Sequence, residues 1–446
     1  MKKLYAPWEK VFKKVATPFE EFIHAQTTTG LILMIMTVVA LVLANSPIAS
    51  SYEHFFHTYI NLEVGSWKLS HSIHHWINDG LMAIFFFIIG LEIKRNITVG
   101  ELSDIKVAIL PIIAAIGGMV IPALIYLSIN GGLDSARGWG IPMATDIAFA
   151  ISALVLLGKR VPTSLVTFLV ALAIVDDLGA VVVIALFYTN EIHIFWLLLA
   201  LGAFFGMIAL NRFGIHAVLP YFIVGLLMWY FMLESGVHAT IAGVIAAMSI
   251  PSRPKYVPIT FSEHTSRLLH EYDSYPIATD HMMHEKQKAI LQNIKDTIDA
   301  VGTPASRLEH GLHLPVSLLV IPLFALANAG ISIDFSSINQ SIMQPVSLGI
   351  IFGLIGGKIV GIAGLSWLAI KLKIATLPQN TTMSQIFGVS FLGGIGFTMS
   401  IFVAELAFLG NSELIFQAKI GILAASLFAG IFGFVWLRYI AKSSNK

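Results

Sequence analysis

Long apolar runs separated by short polar segments make up most of the chain. A helix of about 20 apolar residues crosses the hydrocarbon core of a bilayer, and most of the runs approach or exceed that length. The fourth and the eighth runs are short for a full crossing. The twelve runs lie at residues 29–45, 76–93, 107–129, 141–157, 163–187, 193–210, 216–234, 236–250, 312–330, 347–370, 385–409 and 415–437. The pattern therefore predicts an all-α polytopic membrane protein with about 12 transmembrane helices.

One extramembrane segment has the pattern of strands. Residues 60–70 alternate apolar and polar side chains around a central Gly-Ser pair. This alternation predicts a small extracytoplasmic β-hairpin. Because a lone hairpin is marginally stable in water, two uses for it stay open. It could pair with a second subunit in a homodimer, or it could lie on its own membrane domain.

Two polar segments complete the organisation. Residues 1–28 interleave five lysines with aromatic and aliphatic side chains, as in an amphipathic helix on an anionic lipid surface. The loop 251–311 contains Ile290, Ile294 and Ile298 at helical spacing, which predicts an amphipathic helix within it. The predicted segments are the N-terminal amphipathic segment 1–28, spans 1–8 with the hairpin over 29–250, the cytoplasmic loop 251–311, and spans 9–12 with the C-terminal tail over 312–446.

The cytoplasmic loop is rich in histidine. Its histidines include His264, His270, His281 and His284. Histidines can bind a metal or sense pH, but these lack the spacing of a strong zinc motif. The pattern favours solvated surface residues over a metal site.

Composition and charge agree with a membrane protein. The chain of 446 residues is 56% hydrophobic and 12% charged, whereas a soluble domain carries about 25% charged residues. The net charge of +1 offers no basic surface for nucleic acid, and the absence of cysteine excludes disulfides and thiolate metal sites. Most of the 27 Lys and Arg residues fall in segments on the side of the N-terminus. By the positive-inside rule, both termini are expected in the cytoplasm.

Two adjacent carboxylates lie deep in the fifth run. Asp176 and Asp177 occupy the middle of the run 163–187, so both would lie near the membrane midplane. A charge at that depth costs about 2.5–3.5 kcal/mol on the insertion scale. Their central position argues against the alternative that they cap a helix end. We therefore expect a site for ions or protons.

Three other runs carry polar or helix-breaking features at similar depth. Pro142, Thr145 and Asp146 interrupt the fourth run, Lys358 lies centrally in the tenth, and glycines crowd residues 393–396 of the eleventh. Interrupted segments in corresponding positions of two halves are typical of inverted-repeat transporters with a midplane site. We therefore expect broken, crossing helices in spans 4 and 11. The alternative for the glycines is close packing of unbroken helices.

Many ordered motifs in the chain resemble a known family. They are Asn78-Asp-Gly80, Gly90-Leu-Glu-Ile-Lys-Arg95, Gly117-Gly118, Met143-Ala-Thr-Asp-Ile-Ala-Phe149, Ile174-Val-Asp-Asp177, Gly236-Val-His238, Arg307-Leu-Glu-His310, Ala327-Asn-Ala-Gly330, Gly356-Gly-Lys358 and Phe391-Leu-Gly-Gly-Ile-Gly-Phe-Thr398. The chain resembles the NhaA-type sodium/proton antiporters of bacteria, whose fold is itself an example of inverted repeats. The resemblance covers nearly the whole chain except residues 255–300.

The resemblance assigns roles to the intramembrane residues. It implies that Asp176 and Asp177 are the ion- and proton-binding pair and that Lys358 is the intramembrane lysine. Thr145 and Asp146 correspond to the unwound segment that crosses span 11. Neighbours in a helix point about 100° apart, so we assign Asp177 to the cation and Asp176 to a contact with Lys358. Asp146 would offset converging helix N-termini and Lys358 would offset C-termini; a local hydrogen bond between Asp146 and Thr145 is the alternative.

The resemblance also implies a cytoplasmic cluster that responds to pH. Its members are Glu92, Lys94, Arg95, Glu309, His310 and His313. One departure stands beside it: the residue after Arg95 is Asn96, where the family pattern often has glutamate. Together with the long 251–306 loop, Asn96 leaves the pH-activation profile open.

The function implied by the resemblance is secondary antiport rather than enzymatic catalysis. A carboxylate must lose its proton to bind a cation, so Na+ and H+ compete for one site. The expected protein exports Na+, and also Li+, in electrogenic, pH-regulated exchange for H+ across the bacterial inner membrane, with no cofactor. Its partners would be Na+, H+ and the lipid bilayer.

Two other function classes are weighed against antiport. The first is a sodium-coupled solute symporter on the same fold, which would need a larger apolar pocket. The second is an intramembrane aspartyl protease. The protease's Gly-x-Gly-Asp motif is absent, and Asp176 and Asp177 lie on one helix rather than facing each other.

Overall fold

The computed structural model of the chain describes residues 26–64, 67–100, 102–189, 192–254, 258–275, 285–332 and 338–444. The protein is mostly helical, at 80%, and has one two-stranded sheet within those residues. The predicted helical membrane fold with a small β-hairpin is confirmed at this level. Most of the predicted N-terminal amphipathic segment, together with His281 and His284, lies outside the described residues.

The described part of the first half of the chain contains six α-helices. These are α1 (Gln26–Ala44), α2 (Ala49–His57), α3 (Ile73–Thr98), α4 (Ile105–Asn130), α5 (Ile147–Val155) and α6 (Thr163–Phe187). Two 3-10 helices, Asp134–Met143 and Gly158–Arg160, flank α5. A π-helical turn at Trp76–Leu81 lies within α3.

The described part of the second half contains eleven α-helices. These are α7 (Ile194–Arg212), α8 (Val218–Glu234), α9 (Thr240–Ser249), α10 (Pro258–Ser274), α11 (Glu285–Val301), α12 (Pro304–Asn328), α13 (Ile338–Ile342), α14 (Pro345–Lys371), α15 (Met383–Leu392), α16 (Phe397–Ala407) and α17 (Ser412–Ser444). π-Helical turns occur at Val316–Val320, Gly353–Gly357 and Ile359–Gly364.

The sheet is the hairpin expected from the alternating segment 60–70. Strands β1 (Tyr59–Val64) and β2 (Trp67–Ser72) pair antiparallel, with Tyr59 opposite Ser72 and Leu62 opposite Leu69. The two turn residues, Gly65 and Ser66, lie outside the described residues.

Eight helices in the described ranges are long and apolar enough to cross a membrane, and the number rises to ten if two bent pairs each count as one span. Helix α6 matches the predicted run 163–187 at both ends. The bent pairs are α1 with α2, at 112°, and α15 with α16, at 49°. Helix α9 has only 10 residues, or about 15 Å, which is half of a hydrocarbon core.

The chain divides into two compact units. The first contains the described residues of Met1–Phe85, Asn96–Asn190 and Leu314–Lys446. Helix α4 lies at its centre and packs against α6, α14 and the 3-10 helix Asp134–Met143. At the contact of α4 with α14, a Cβ atom placed on Gly361 would lie 2.2 Å from the carbonyl oxygen of Gly117. Only glycines allow two helix backbones to approach this closely.

The second unit contains the described residues of Phe86–Arg95 and Glu191–His313. Helices α7, α8 and α9 pack together, and the side-chain amide of Asn211 donates to the Ser249 carbonyl at 2.7 Å. The outer face of α7 exposes large apolar side chains, such as Leu198 at 61% and Phe205 at 59%. These are the side chains that a helix presents to lipid rather than to water. Helices α10 and α11 pack against each other in the polar segment of this unit.

Candidate functional site

Two spans of the first unit are interrupted. The 3-10 helix Asp134–Met143 ends two residues before Thr145, and α5 begins after Asp146. Pro142 lies just before this break and has no N–H group to donate. The second break lies between α15 and α16, at the glycine-rich residues 393–396. Both breaks fall where the sequence predicted them.

The two interruptions are hydrogen-bonded to each other. The Asp146 amide donates to the Ile395 carbonyl at 2.6 Å, and the Thr145 hydroxyl donates to the Gly393 carbonyl at 2.8 Å. The Ser400 hydroxyl of α16 donates to the Ile141 carbonyl at 2.8 Å. Backbone groups freed by a broken helix must find partners inside the protein, because lipid supplies none. Each interruption therefore satisfies polar groups of the other.

The Asp146 carboxylate lies at the start of two helices. One oxygen accepts from the Phe149 amide at 3.1 Å, at the N-terminus of α5. The other accepts from the Thr398 amide at 3.1 Å and from the Thr398 hydroxyl, at the N-terminus of α16. Helix N-termini carry partial positive charge, which a carboxylate offsets. These partners match the expected offset of helix N-termini and differ from the alternative of a local bond to Thr145.

Lys358 lies in the middle of α14 and is 0% exposed. Its ammonium contacts the Asp176 carboxylate at 2.7 Å and donates to the Thr145 hydroxyl at 2.9 Å. It also donates to the carbonyl of Met143, the last residue of the 3-10 helix. An ammonium has three donors, and these three oxygens use all of them. Lys358 thus joins α14 to α6 and to the end of the first interrupted segment.

Asp176 and Asp177 are almost fully buried in α6, at 1% and 2% exposure. One oxygen of Asp176 is engaged by Lys358, whereas Oδ1 is buried without a hydrogen-bond partner in the described part of the chain. A carboxylate oxygen with spare lone pairs is the ligand type that hard cations and protons seek. The arrangement is therefore chemically suited to exchange one for the other.

The second unit brings together part of the predicted pH-response cluster. An Arg95 guanidinium nitrogen lies 2.8 Å from a Glu309 carboxylate oxygen, and Glu92 interacts electrostatically with both residues. The Lys94 ammonium donates to the carbonyls of Met248, at 2.8 Å, and Ile250, and so caps the end of α9. A cation is favourable at a helix C-terminus.

The two histidines of the predicted pH-response cluster are more exposed to solvent than Glu92 and Glu309. His310 and His313 are exposed. In the loop, His264 and His270 are exposed on α10. No group of three His, Asp or Glu side chains among the described residues could hold a metal ion. Helix α11 includes the predicted isoleucine stripe, although Ile298 is 54% exposed.

The sequence analysis quoted Thr398 as the end of a motif but did not assign it to the site, and it missed the backbone acceptors. Thr398 stands out weakly as a polar residue just after a glycine run, and this signal could have identified it. The carbonyls of Met143, Gly393 and Ile395 have no side-chain signature. They become identifiable only when the two breaks are brought together.

Comparison with known proteins identifies relatives over nearly the whole chain. Residues 20–437 match the model of the family described as Na+/H+ antiporter 1. The chain is 72% identical over 443 residues to the Na(+)/H(+) antiporter NhaA of Sulfurimonas denitrificans, covering 99% of this chain and 100% of the relative. It is 50% identical over 447 residues to Na(+)/H(+) antiporter NhaA 1 of Saccharophagus degradans, covering 98% and 95%. It is 47% identical over 440 residues to the NhaA of Dichelobacter nodosus, again covering 98% and 95%.

Proposed function

The chain belongs to the NhaA family of Na+/H+ antiporters, and on this premise we propose which residues exchange the ions. Members of this family are transporters and not enzymes. We place the exchange at Asp176 and Asp177, with Lys358 as the internal cation. The observation that carries the proposal is the buried contact of Asp176 with Lys358, 2.7 Å long and next to a second buried carboxylate.

Competition at this site is enough for antiport. Na+ requires deprotonated carboxylates, so each cation bound displaces protons. Asp177 is the main cation ligand in this proposal, and the partnerless oxygen of Asp176 adds a second ligand. Li+ has the same charge and the same preference for oxygen, so it is transported too. Coupling requires that the site reorients only when it is loaded.

The Asp176–Lys358 pair makes the exchange electrogenic. When the pair separates, Asp176 or Lys358 gains or loses a proton in addition to the proton exchanged at Asp177. More protons than cations then move in each cycle, and net charge crosses the membrane. The thermodynamic cost of separating a buried ion pair is large, so the pair separates only when a cation or proton replaces the lost partner.

In the proposed mechanism, a cytoplasmic cluster makes this exchange depend on pH. Its members are Glu92, Lys94, Arg95, Glu309, His310 and His313. The contacts of Arg95 with Glu309 and of Lys94 with the end of α9 support the role of a charged cluster.

The proposed architecture follows the same family. A count of twelve spans results if each bent pair and each of the shorter apolar helices α8 and α9 is one crossing. The interrupted spans would be the crossing members of two inverted repeats. The proposal also places the protein in the bacterial inner membrane, with both termini in the cytoplasm. It keeps the division into segments 1–28, 29–250, 251–311 and 312–446. It includes a homodimer formed through hairpin 60–70. The transporter would need no resident cofactor.

The test is ion exchange by purified protein in proteoliposomes. Na+ or Li+ should drive proton movement across the vesicle membrane, and K+ is compared with them in the same assay. Asp177→Asn should abolish this movement and calorimetric Na+ binding, whereas the control Asp104→Asn, at an exposed helix cap, should preserve both. Sodium affinity near that of the wild type in Asp177→Asn would remove Asp177 from the site. Sodium uptake that requires a co-transported solute would favour the symporter instead.

A further inference from the structure

Titratable side chains follow one another where β2 continues into α3. His71 is the last residue but one of β2, His75 lies in the first turn of α3, and Asp79 lies in the π-helical turn. The rings of His71 and His75 are stacked, with centroids 4.2 Å apart and planes inclined by 18°. Nδ1 of His75 lies 3.3 Å from a carboxylate oxygen of Asp79. The three groups therefore form a continuous series from the hairpin into a membrane span.

One atom of this series is in an unusual environment. Nε2 of His75 is buried and has no hydrogen-bond partner among the described residues. Buried polar atoms are nearly always paired, and an exception calls for an explanation. An imidazole ring can accept a proton on one nitrogen while it releases one from the other. Nε2 of His75 is therefore available to accept a proton, and the His71 ring is stacked on the same imidazole.

We propose that His71, His75 and Asp79 form a proton relay at the extracytoplasmic end of α3. The relay collects protons from the medium and supplies them to the antiport. This inference rests on the proposed function, because it presumes that protons enter from the hairpin side.

The transfer conserves protons and charge at each step. After the rings rotate out of the stack, an N–H bond of protonated His71 breaks and its proton bonds to Nε2 of neutral His75, which leaves His71 neutral and His75 as imidazolium. The N–H bond at Nδ1 of His75 then breaks, and its proton forms an O–H bond on Asp79. The neutral His75 ring then carries its proton on Nε2, and it returns to the starting tautomer when Nε2 releases that proton to buffer and Nδ1 takes up another. Asp79 becomes a carboxylate again when it passes its proton on towards the antiport site. Two imidazolium rings at 4.2 Å would repel each other, so the stacked pair carries at most one extra proton, and one positive charge, at a time.

Proton supply is a physical limit for such a transporter. At pH 8 the free proton concentration is about 10 nM. With a diffusional rate constant of about 10¹⁰ M⁻¹ s⁻¹, a single site captures roughly 100 protons per second. Surface groups that exchange protons with buffer and pass them inward raise this rate. A relay therefore matters most at alkaline pH in dilute buffer.

A second set of titratable side chains lies around His74 in the first unit. His74 contacts the Asn328 side-chain oxygen at 3.0 Å, and its charged neighbours are His57, Glu405 and Lys419. Glu405 and Lys419 pair with each other at 2.7 Å. The groups that face His75 itself are His71 from β2 and Asp79 from its own helix. His74 and its charged neighbours thus form a second polar group with contacts of its own.

The experiment measures Na+/H+ exchange in right-side-out membrane vesicles as the outside buffer concentration is varied at pH 8. In dilute buffer, His75→Gln should slow exchange about 10²-fold, at the lower end of the ~10²–10⁴ range for loss of a proton-transfer group. Concentrated buffer or added imidazole should restore the rate. Asp79→Asn should act in the same way, and the double variant should be no slower than the slower single variant. The control His54→Gln changes an exposed histidine of α2 and should leave the rate unchanged.

Each outcome decides the matter. Buffer-dependent loss with rescue by imidazole supports the relay. A loss that is independent of buffer shows that His75 has only a structural role and overturns it, as does a wild-type rate in dilute buffer. Absence of exchange in the wild type itself would instead contradict the proposed function.

Discussion

Removal of Lys358 is the sharpest test of the buried pair. Lys358 is 0% exposed and Asp176 is 1% exposed, and their charged atoms are 2.7 Å apart. Removing one partner of a buried pair typically costs about 3–5 kcal/mol, because it leaves an uncompensated charge. Oδ1 of Asp176 already lacks a partner among the described residues, so Lys358→Ala would remove the only salt-bridge partner that the described residues give this carboxylate. We therefore expect Lys358→Ala to lower the free energy of unfolding by about 3–5 kcal/mol.

Neutralising both partners should recover much of that loss. The double variant Asp176→Asn with Lys358→Gln keeps side chains that can hydrogen-bond and removes both buried charges. Replacing both members of a buried ion pair by uncharged groups often changes the free energy of unfolding little. The double variant should therefore be more stable than Asp176→Asn or Lys358→Gln alone. Lys371→Ala is the matched control, because Lys371 is an exposed lysine on the same helix and should change stability by about 1 kcal/mol or less.

The measurements are thermal unfolding in detergent and exchange in proteoliposomes under an imposed membrane potential. If the pair carries the additional proton, exchange responds to voltage in the wild type and not in the double variant. A double variant less stable than both single variants would refute the pairing. A double variant whose exchange is still driven by voltage would refute the proton role while leaving the pairing intact.

Three further predictions concern the hairpin and the pH response. Deletion of residues 60–70 should weaken dimers without abolishing exchange; equal survival of dimers on dilution in detergent, with and without the hairpin, would contradict this. Asn96→Glu should shift the pH profile of exchange while Asn96→Gln changes it little, because only glutamate adds an ionisable group at this buried position. Glu309→Gln removes the carboxylate 2.8 Å from Arg95 and should also shift the profile, but it should cost only about 1 kcal/mol, because Arg95 is half exposed. An unchanged pH profile in Glu309→Gln would exclude this contact from regulation.

The sequence predicted the structure best where the pattern of apolar residues and the energetic cost of burying charges both pointed to the same element or site. The run 163–187 became α6 with the same bounds, and the alternation around Gly65 and Ser66 became the paired strands. Deep charges such as Lys358 and Asp176 were identifiable because lipid makes each of them expensive on its own. Their contact could be anticipated because pairing relieves part of that cost.

Other parts could not be predicted from the residues alone. The sequence does not encode locally that the Thr145 hydroxyl donates to the Gly393 carbonyl, 248 positions away. Backbone acceptors carry no residue signature, so the oxygens around the Lys358 ammonium were invisible until the fold was known. The bend of 112° between α1 and α2 also escaped prediction, since the apolar run there ends at residue 45 and the chain simply turns polar.

The contacts of Lys358 connect ion binding with the backbone of the interrupted span. The same ammonium that neutralises Asp176 also holds the Thr145 hydroxyl and the Met143 carbonyl. If a cation or proton replaces Lys358 at Asp176, one of its three contacts is lost and the balance of the other two changes. Asp146 contacts the starts of α5 and α16 and does not contact Lys358, so its hydrogen bonds do not depend on the lysine side chain. In the proposed mechanism, loading of the carboxylate would therefore act on the interrupted segment through the contacts of Lys358 with Thr145 and Met143.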